Sequence, residues 1–410
     1  MKYYFGIVLL LVYFTGCSSP TVKKEYIEGV SDVNQDVSFY LQDINENNIS
    51  SMQKYLKDYY KQWHIEKPTI TQQDAMWANN TFHLEKYYGE NFQKISPIFY
   101  KKLIENTNFE AFASLNKKAY TLERVNVRAF PTNRMFFLNP VKAGEGFPFD
   151  YLQNSSIAAY KPVFISHYSK DKAWVFVESS FTYGWVPTRE IAFISDKKAL
   201  EWEKSPQEVV VEDNIAVYDK NQNFIFYSQI GQMLPLKSNI DFSKNIFHQG
   251  LLSFNKKNIA LILSQLQHNI YGWGGMYGQR DCSATLRDFY APFGLWLPRN
   301  SSKQAKIGQV INLKGMSDKQ KLATIKKFGV AFQTLLYKKG HIVLYVGTFN
   351  NRVIIFHNTW GIKTIVNAQE GRYIIGKPIF STLDFGKNIE GYQYNNTILH
   401  HLQSMNIITK

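Results

Sequence analysis

The sequence predicts an α+β protein of several domains: a helical N-terminal region, two small all-β modules, and a C-terminal domain in which helices precede a sheet. Three observations predict it. The first is length, since 410 residues at roughly 150 per domain leave room for about three domains. The second is pattern. Helix-like stretches broken by proline give way at Ala119 to short Val-, Phe- and Trp-rich runs between turn residues, and helical periodicity returns after Gly250. The third is composition, which at 45% hydrophobic, 16% aromatic and 20% charged excludes a disordered or collagen-like chain. No repeat of fixed period is present. Two cysteines cannot build a disulfide framework, and no CxxC pair or Cys/His cluster has zinc-ligand spacing.

Taken in order, the chain opens on Lys2 and an apolar run of twelve, Tyr3 to Phe14. That is too short to span a bilayer, which needs about 20 residues, and reads as a secretory signal. The run ends Phe14-Thr15-Gly16-Cys17, which resembles a bacterial lipobox, with Phe14 where leucine is usual. The resemblance implies lipidation of Cys17, export, and anchoring at the cell envelope, on the periplasmic face of the outer membrane. Residues 1–17 are then the signal peptide and 18–35 an exposed tether. Residues 36–118 are helical in pattern, over Ser50 to Trp63, Gln72 to Tyr88 and Ile98 to Leu115, with Pro68 and Pro97 as breaks.

Two β modules follow, over 119–195 and 196–250. The first has strands at Thr121 to Arg128, Ala173 to Glu178 and Tyr183 to Pro187; the second at Glu208 to Val217, Asn223 to Tyr227 and Met233 to Lys237. Val127-Arg128-Ala129-Phe130-Pro131-Thr132 and Gly184-Trp185-Val186 make the first resemble the bacterial SH3-like barrels of cell-wall proteins. Gly144 to Tyr151 lies where such barrels carry a large ligand-facing loop.

Residues 251–410 form the last domain. They carry 20 Lys and Arg against 6 Asp and Glu, so the whole net charge of +14 belongs to this part of the chain. Such a field raises the local concentration of an anionic partner. Lys256 to Gln267 places Ile259, Ile262, Leu263 and Leu266 on one helix face. A Gly-rich turn, Tyr271-Gly272-Trp273-Gly274-Gly275, leads to Asp281-Cys282-Ser283, and two apolar strands, Gly340 to Gly347 and Arg352 to His357, join across Asn350-Asn351 as a hairpin.

With Cys17 lipidated, Cys282 is the one thiol left, and it has no disulfide partner. Asp281 is a good N-cap, which puts Cys282 in a first helical turn where backbone N–H groups and the helix dipole favour a thiolate. A buried, inert cysteine is the competing reading. A nucleophilic thiol needs a base, and among nine histidines His341, which opens an apolar strand, and His357, on the returning strand, stand where a hairpin would bring them together. Two histidines without a third ligand nearby make a poor metal site, and no metal or other cofactor is expected.

These pieces occur in the order of the NlpC-type papain-like cysteine peptidases that cut peptidoglycan stem peptides. The C-terminal domain resembles that family, and the barrels, the helical segment and the lipobox are similar to its multidomain members. The resemblance implies Cys282 as nucleophile, His341 as base and His357 as the residue that orients it. Tyr271 would lie beside the thiolate, Asp281 would contact the free amine of the peptide, and Ser283 would border the cleft. The resemblance implies a cut between γ-D-glutamate and the diamino acid, with the first barrel walling the cleft so that only peptides with a free N-terminal L-alanine fit; Asp150 or Tyr151 on the barrel loop would supply that wall. Arg280 could face a substrate carboxylate or stand in solvent; Trp273 and the glycines read as a tight turn that packs the helix. The expected partners are stem peptides and a membrane through the lipid, with the protein a monomer that takes no nucleic acid. Two rivals remain, a non-catalytic wall-binding lipoprotein and an acyltransferase that uses the same Cys/His pair. A dinucleotide fingerprint fails because Gly272-x-Gly274-x-x-Tyr277 lacks the third glycine.

Overall fold

The computed structural model describes residues 25–409, apart from 43, 45, 47, 48 and 50; the signal run and Cys17 lie outside the described residues. In the N-terminal region the helices are shorter than their sequence pattern: α1 Met52–Tyr59, α2 Gln72–Ala75, α3 Trp77–Thr81 and α4 Pro97–Asn106. Ser51 and Thr71 cap the first two. Pro97 opens α4 rather than merely separating elements, because the first turn has no use for its missing N–H. Asn108 in the left-handed region closes the run before Leu115.

The first barrel is a seven-stranded antiparallel sheet of β1 Lys117–Thr121, β2 Val125–Arg128, β3 Gln153–Ile157, β4 Pro162–Tyr168, β5 Trp174–Ser179, β6 Tyr183–Pro187 and β7 Ile191–Phe193, in the order β3-β2-β6-β5-β4-β1-β7. A short helix, α5 Asp196–Lys204, leads to the second. There the run expected from Glu208 to Val217 divides into β8 Gln207–Val210 and β9 Ala216–Tyr218. Asn214 between them has φ +60°, and Asp213 turns its carboxylate onto the Ile230 N–H and Arg280. β10 Phe224–Tyr227, β11 Met233–Pro235 and β12 Phe247–Gln249 complete it.

The C-terminal domain places α6 Lys256–Gln267 and α7 Cys282–Tyr290 against a six-stranded antiparallel sheet. Short α8 Ser301–Gln304 precedes β13 Gln309–Asn312, α9 Asp318–Phe328, β14 Thr334–Lys338, β15 His341–Phe349, β16 Arg352–Val366, β17 Gln369–Thr382, α10 Ile398–His401 and β18 Ser404–Ile407, with sheet order β13-β18-β14-β15-β16-β17. Ile259, Ile262, Leu263 and Leu266 of α6 share a core with Leu286, Phe289 and Tyr290 of α7 and Ile342, Leu344 and Val346 of β15. The apolar alternation of these elements therefore holds α7 against the strand that begins at His341.

The domains are fastened by polar contacts between buried groups. Trp63 Nε1 donates to the Ala119 carbonyl, Tyr60 Oη to Gln207 and Tyr59 Oη to the Met233 carbonyl, so one helical segment ties both barrels together. Gly274 and Gly275 adopt φ +59° and +82°, and their Cα atoms pass so close to Gln153 and Ser156 of β3 that a Cβ would collide. The Gly-rich turn is thus the surface on which the first barrel docks, one turn of chain ahead of Cys282.

Candidate active site

Asp281 is the N-cap of α7, its carboxylate accepting the Ala284 N–H at 2.9 Å, so Cys282 begins the helix. Cys282 is 8% exposed and lines two cavities at once. The backbone N–H of Ile342, the residue after His341, favours the ionised sulfur, but less than burial and Asp281 oppose it. Burial and then Asp281 push the thiol up to about 12, while burial and then Lys338 push the His341 imidazolium down to about 3. At neutral pH both shifts favour an uncharged thiol and an uncharged imidazole on the same cavity.

His341 Nε2 lies 2.9 Å from His357 Nδ1, and His357 Nε2 lies 3.1 Å from Ser381 Oγ. The direction of this chain follows from its far end. The Ser381 hydroxyl donates to the Thr382 carbonyl at 3.0 Å, so its oxygen accepts the proton of His357 Nε2. His357 Nδ1 then presents a lone pair and accepts the N–H of His341 Nε2, leaving His341 Nδ1 as the basic nitrogen. His357 is 1% exposed, and burial, His341 and Lys338 all disfavour its charged form. Bonding between the two rings leaves no gap for a metal between them, and no three His, Cys, Asp or Glu among the described residues converge as ligands.

One cavity, about 320 Å³, is lined by Tyr271, Cys282, Lys338, His341, Trp360 and Arg372, among others. The other, about 620 Å³, meets it at Cys282 and Tyr271 and takes its walls from three regions: Trp77 and Phe82 of the helical region, Tyr151 and Tyr183 of the first barrel, and Asp281, Ser283 and Arg299 of the last domain. Tyr271 is held by its backbone N–H on the Gly376 carbonyl, and burial, then the neighbouring Cys282, keep its phenol protonated.

Asp281 and Ser283 face this second cavity but are already engaged. Arg299 bonds to Asp281, to Ser283 Oγ at 2.9 Å and to Ser155 Oγ of the first barrel at 2.9 Å. Burial alone would raise the Asp281 carboxyl, and Arg299 holds it below its ordinary value. Tyr151 stands on the wall, whereas Asp150 does not. Its fully buried carboxylate pairs with Arg128 at 2.6 Å and accepts the N–H groups of Phe136 and Leu152, which shapes the loop and leaves nothing to meet a ligand. Phe149 and Gly144 of the same loop line the smaller cavity instead.

Neither sequence reading of Arg280 holds, because its side chain is 1% exposed between Asp213 of the second barrel and Asp288 of α7. Trp273, read only as packing, does pack on Phe149 and Tyr151 and donates to the Asp150 carbonyl, yet it also lines both cavities. Arg299, Lys338 and Ser381 were not singled out by sequence. The chain positions of Lys338, next to Gly340-His341, and Arg299, just past α7, were the available signals. Ser381 has none, since only the pairing of β16 with β17 brings it to His357.

Comparison with known families accounts for most of the chain. Residues 6–112 match the N-terminal NlpC/P60 stabilising domain, 135–187 an SH3 domain of SH3b1 type, 195–239 an SH3 domain of SH3b2 type, and 268–376 the NlpC/P60 family. No curated protein matches. The solved structure of an NlpC/P60 endopeptidase from Photobacterium damselae subsp. piscicida is similar over 94% of this chain and 98% of its own, at 24% identity and a TM-score of 0.80, which shows a shared fold. An NlpC/P60 family protein from Bacillus cereus aligns over 63% of this chain and 82% of its own at 13% identity, with a TM-score of 0.43. The four domain matches stand in this order along the chain, and the last of them, to the NlpC/P60 family over residues 268–376, contains Cys282, His341 and His357.

Proposed function

We propose that the protein is a cell-wall endopeptidase that hydrolyses the γ-D-glutamyl-diamino acid bond of peptidoglycan stem peptides. The observation that carries this reading is a serine–histidine–histidine relay whose last imidazole, His341, lines one cavity together with the helix-start thiol of Cys282. His341 Nδ1 takes the proton of Cys282, and the thiolate attacks the amide carbonyl carbon. The oxyanion is met by backbone N–H at the start of α7, the Cys282 N–H first. The C–N bond breaks as His341 returns the proton to the leaving amine, giving a thioester. Water then gives a proton to His341 and hydroxyl to the acyl carbon, and the thiol departs with that proton. The imidazolium that forms transiently is stabilised through His357, and its formation on substrate binding overcomes the neutral resting pair.

His341 lines the smaller cavity and not the larger. A general acid must reach the departing nitrogen. The leaving amino acid therefore occupies the smaller cavity and the acyl portion the larger, where Tyr271 flanks the carbonyl and Tyr151, Ser283 and the Asp281–Arg299 pair border the peptide. The basic C-terminal domain attracts this carboxylate-bearing substrate. The protein acts as an exported monomer, held at the envelope by lipid on Cys17.

Defined muropeptides incubated with the protein and with Cys282→Ala, read by mass spectrometry, test the activity. The proposal requires a new amine and a new carboxylate with the wild type alone. Equal cleavage by both forms, or by neither, refutes it. Metabolic labelling with palmitate should mark the wild type and not Cys17→Ala.

A further inference from the structure

The smaller cavity has a charge pattern that hydrolysis by itself does not require. Lys338, Lys339, Lys363 and Arg372 line it, and no aspartate or glutamate does. These cations are not equivalent. Lys363 and Arg372 share Glu370, and Lys339 is exposed to solvent. Lys338 is different: it ends β14 directly across from His341, is partly buried, and its ammonium has no ion pair or hydrogen bond with any described residue. Burial lowers its pKa, and the field of Cys282 opposes that shift. An ammonium partly withdrawn from water without a counter-ion is costly, and the cost is recovered when an anion binds beside it.

The occupant follows from the direction of the reaction. On the proposed peptidase reading, this cavity holds the amino acid whose amine is released next to His341. That residue is a diamino acid, and its distal end takes one of two chemical forms. A lysine ends in a lone ammonium, which the four cations repel. A diamino dicarboxylic acid ends in an ammonium and a carboxylate together, and the carboxylate can complete the missing pair. We propose that Lys338 is the specificity-determining residue of the leaving-group cavity, binding the side-chain carboxylate of a dicarboxylic diamino acid and disfavouring lysine at that position. Arg372 and Lys363 set the sign of the field, and Lys338 supplies the contact. Specificity then has both an attractive part and a repulsive part.

The test uses two stem tripeptides identical except for the third residue, one with the dicarboxylic diamino acid and one with lysine, and compares kcat/KM. The wild type should favour the dicarboxylic peptide by roughly tenfold or more, as expected for a charge-assisted contact. Lys338→Met should bring the ratio near one, chiefly by raising KM for the dicarboxylic peptide, while Lys338→Arg keeps most of the preference. Thermal unfolding of each variant checks that it is folded. Wild-type indifference between the peptides overturns the inference, and so does an equal loss on both in Lys338→Met, which would mean that the lysine acts only through His341. Should Lys338→Met fail to fold, a Lys338→Arg variant that stays folded but loses the preference, or a wild type without one, overturns it. Cleavage of neither peptide by the wild type overturns the peptidase reading itself; cleavage of both at similar rates leaves that reading standing and removes only this one.

Discussion

Replacing His357 by leucine cuts the relay at its middle and leaves the nucleophile and base in place. His357 Nδ1 accepts from His341 at 2.9 Å, so the bond becomes charge-assisted when His341 carries the thiol proton. Such a bond contributes about 1.5–3 kcal/mol, and losing it in the charged state alone lowers kcat by roughly 10- to 150-fold. Ser381→Ala removes the acceptor at 3.1 Å that fixes the His357 tautomer and involves only neutral groups, so its effect is smaller, about 2- to 10-fold. Steady-state kinetics on one defined stem peptide, with folding checked by circular dichroism, gives both numbers. KM should change little in either variant, because neither group faces the cavities. A His357→Leu enzyme within about twofold of wild type would refute the relay; a Ser381→Ala loss larger than that of His357→Leu would refute its direction.

Three further outcomes follow from buried charge. Arg280→Met leaves Asp213 and Asp288 as facing buried carboxylates and should cost roughly 3–5 kcal/mol, seen as a lower thermal midpoint. Burial would raise both carboxyls, but the arginines hold them below the ordinary 3.8. A depressed folded-state value stabilises the protein above the unfolded value and is lost as pH falls through it, so these carboxylates add a loss of stability below about 4 to the one that begins below 6.5, where the buried neutral His341 and His357 resist protonation. Asp288→Asn should flatten that acid limb in a pH series of unfolding curves. Asp150→Ala strands buried Arg128 and should lower the thermal midpoint, whereas Tyr151→Phe, which keeps the packing on Tyr87 and Trp273, should leave it within about 2 °C.

The sequence made legible whatever depends on neighbours along the chain. The apolar spacing of Lys256–Gln267 defines the observed helix, Asp281 caps α7, and Asn350-Asn351 turns the hairpin that brings His341 to His357. What remained hidden depends on partners far away in sequence. Nothing adjacent to Asp150 announces Arg128, and nothing adjacent to Arg280 announces Asp213, so a loop acid and a motif-flanking arginine both looked available for substrate. Ser381 reaches His357 only through the pairing of two strands of 15 and 14 residues, whose length the short apolar run at Arg352 to His357 understated. The last N-terminal helix stops short of Leu115 because Asn108 takes the left-handed conformation and breaks the run.

As the nucleophile of the proposed reaction, Cys282, at the meeting point of the two cavities, must form a covalent bond to the carbonyl carbon of the acyl portion. A stem dipeptide ending in a ¹³C-labelled aldehyde at that carbon captures the step without a leaving group, and carbon NMR reads the product directly. The wild type should give a stoichiometric, reversible hemithioacetal signal and Cys282→Ala none. Free aldehyde alone with the wild type, or the same adduct with Cys282→Ala, would contradict it.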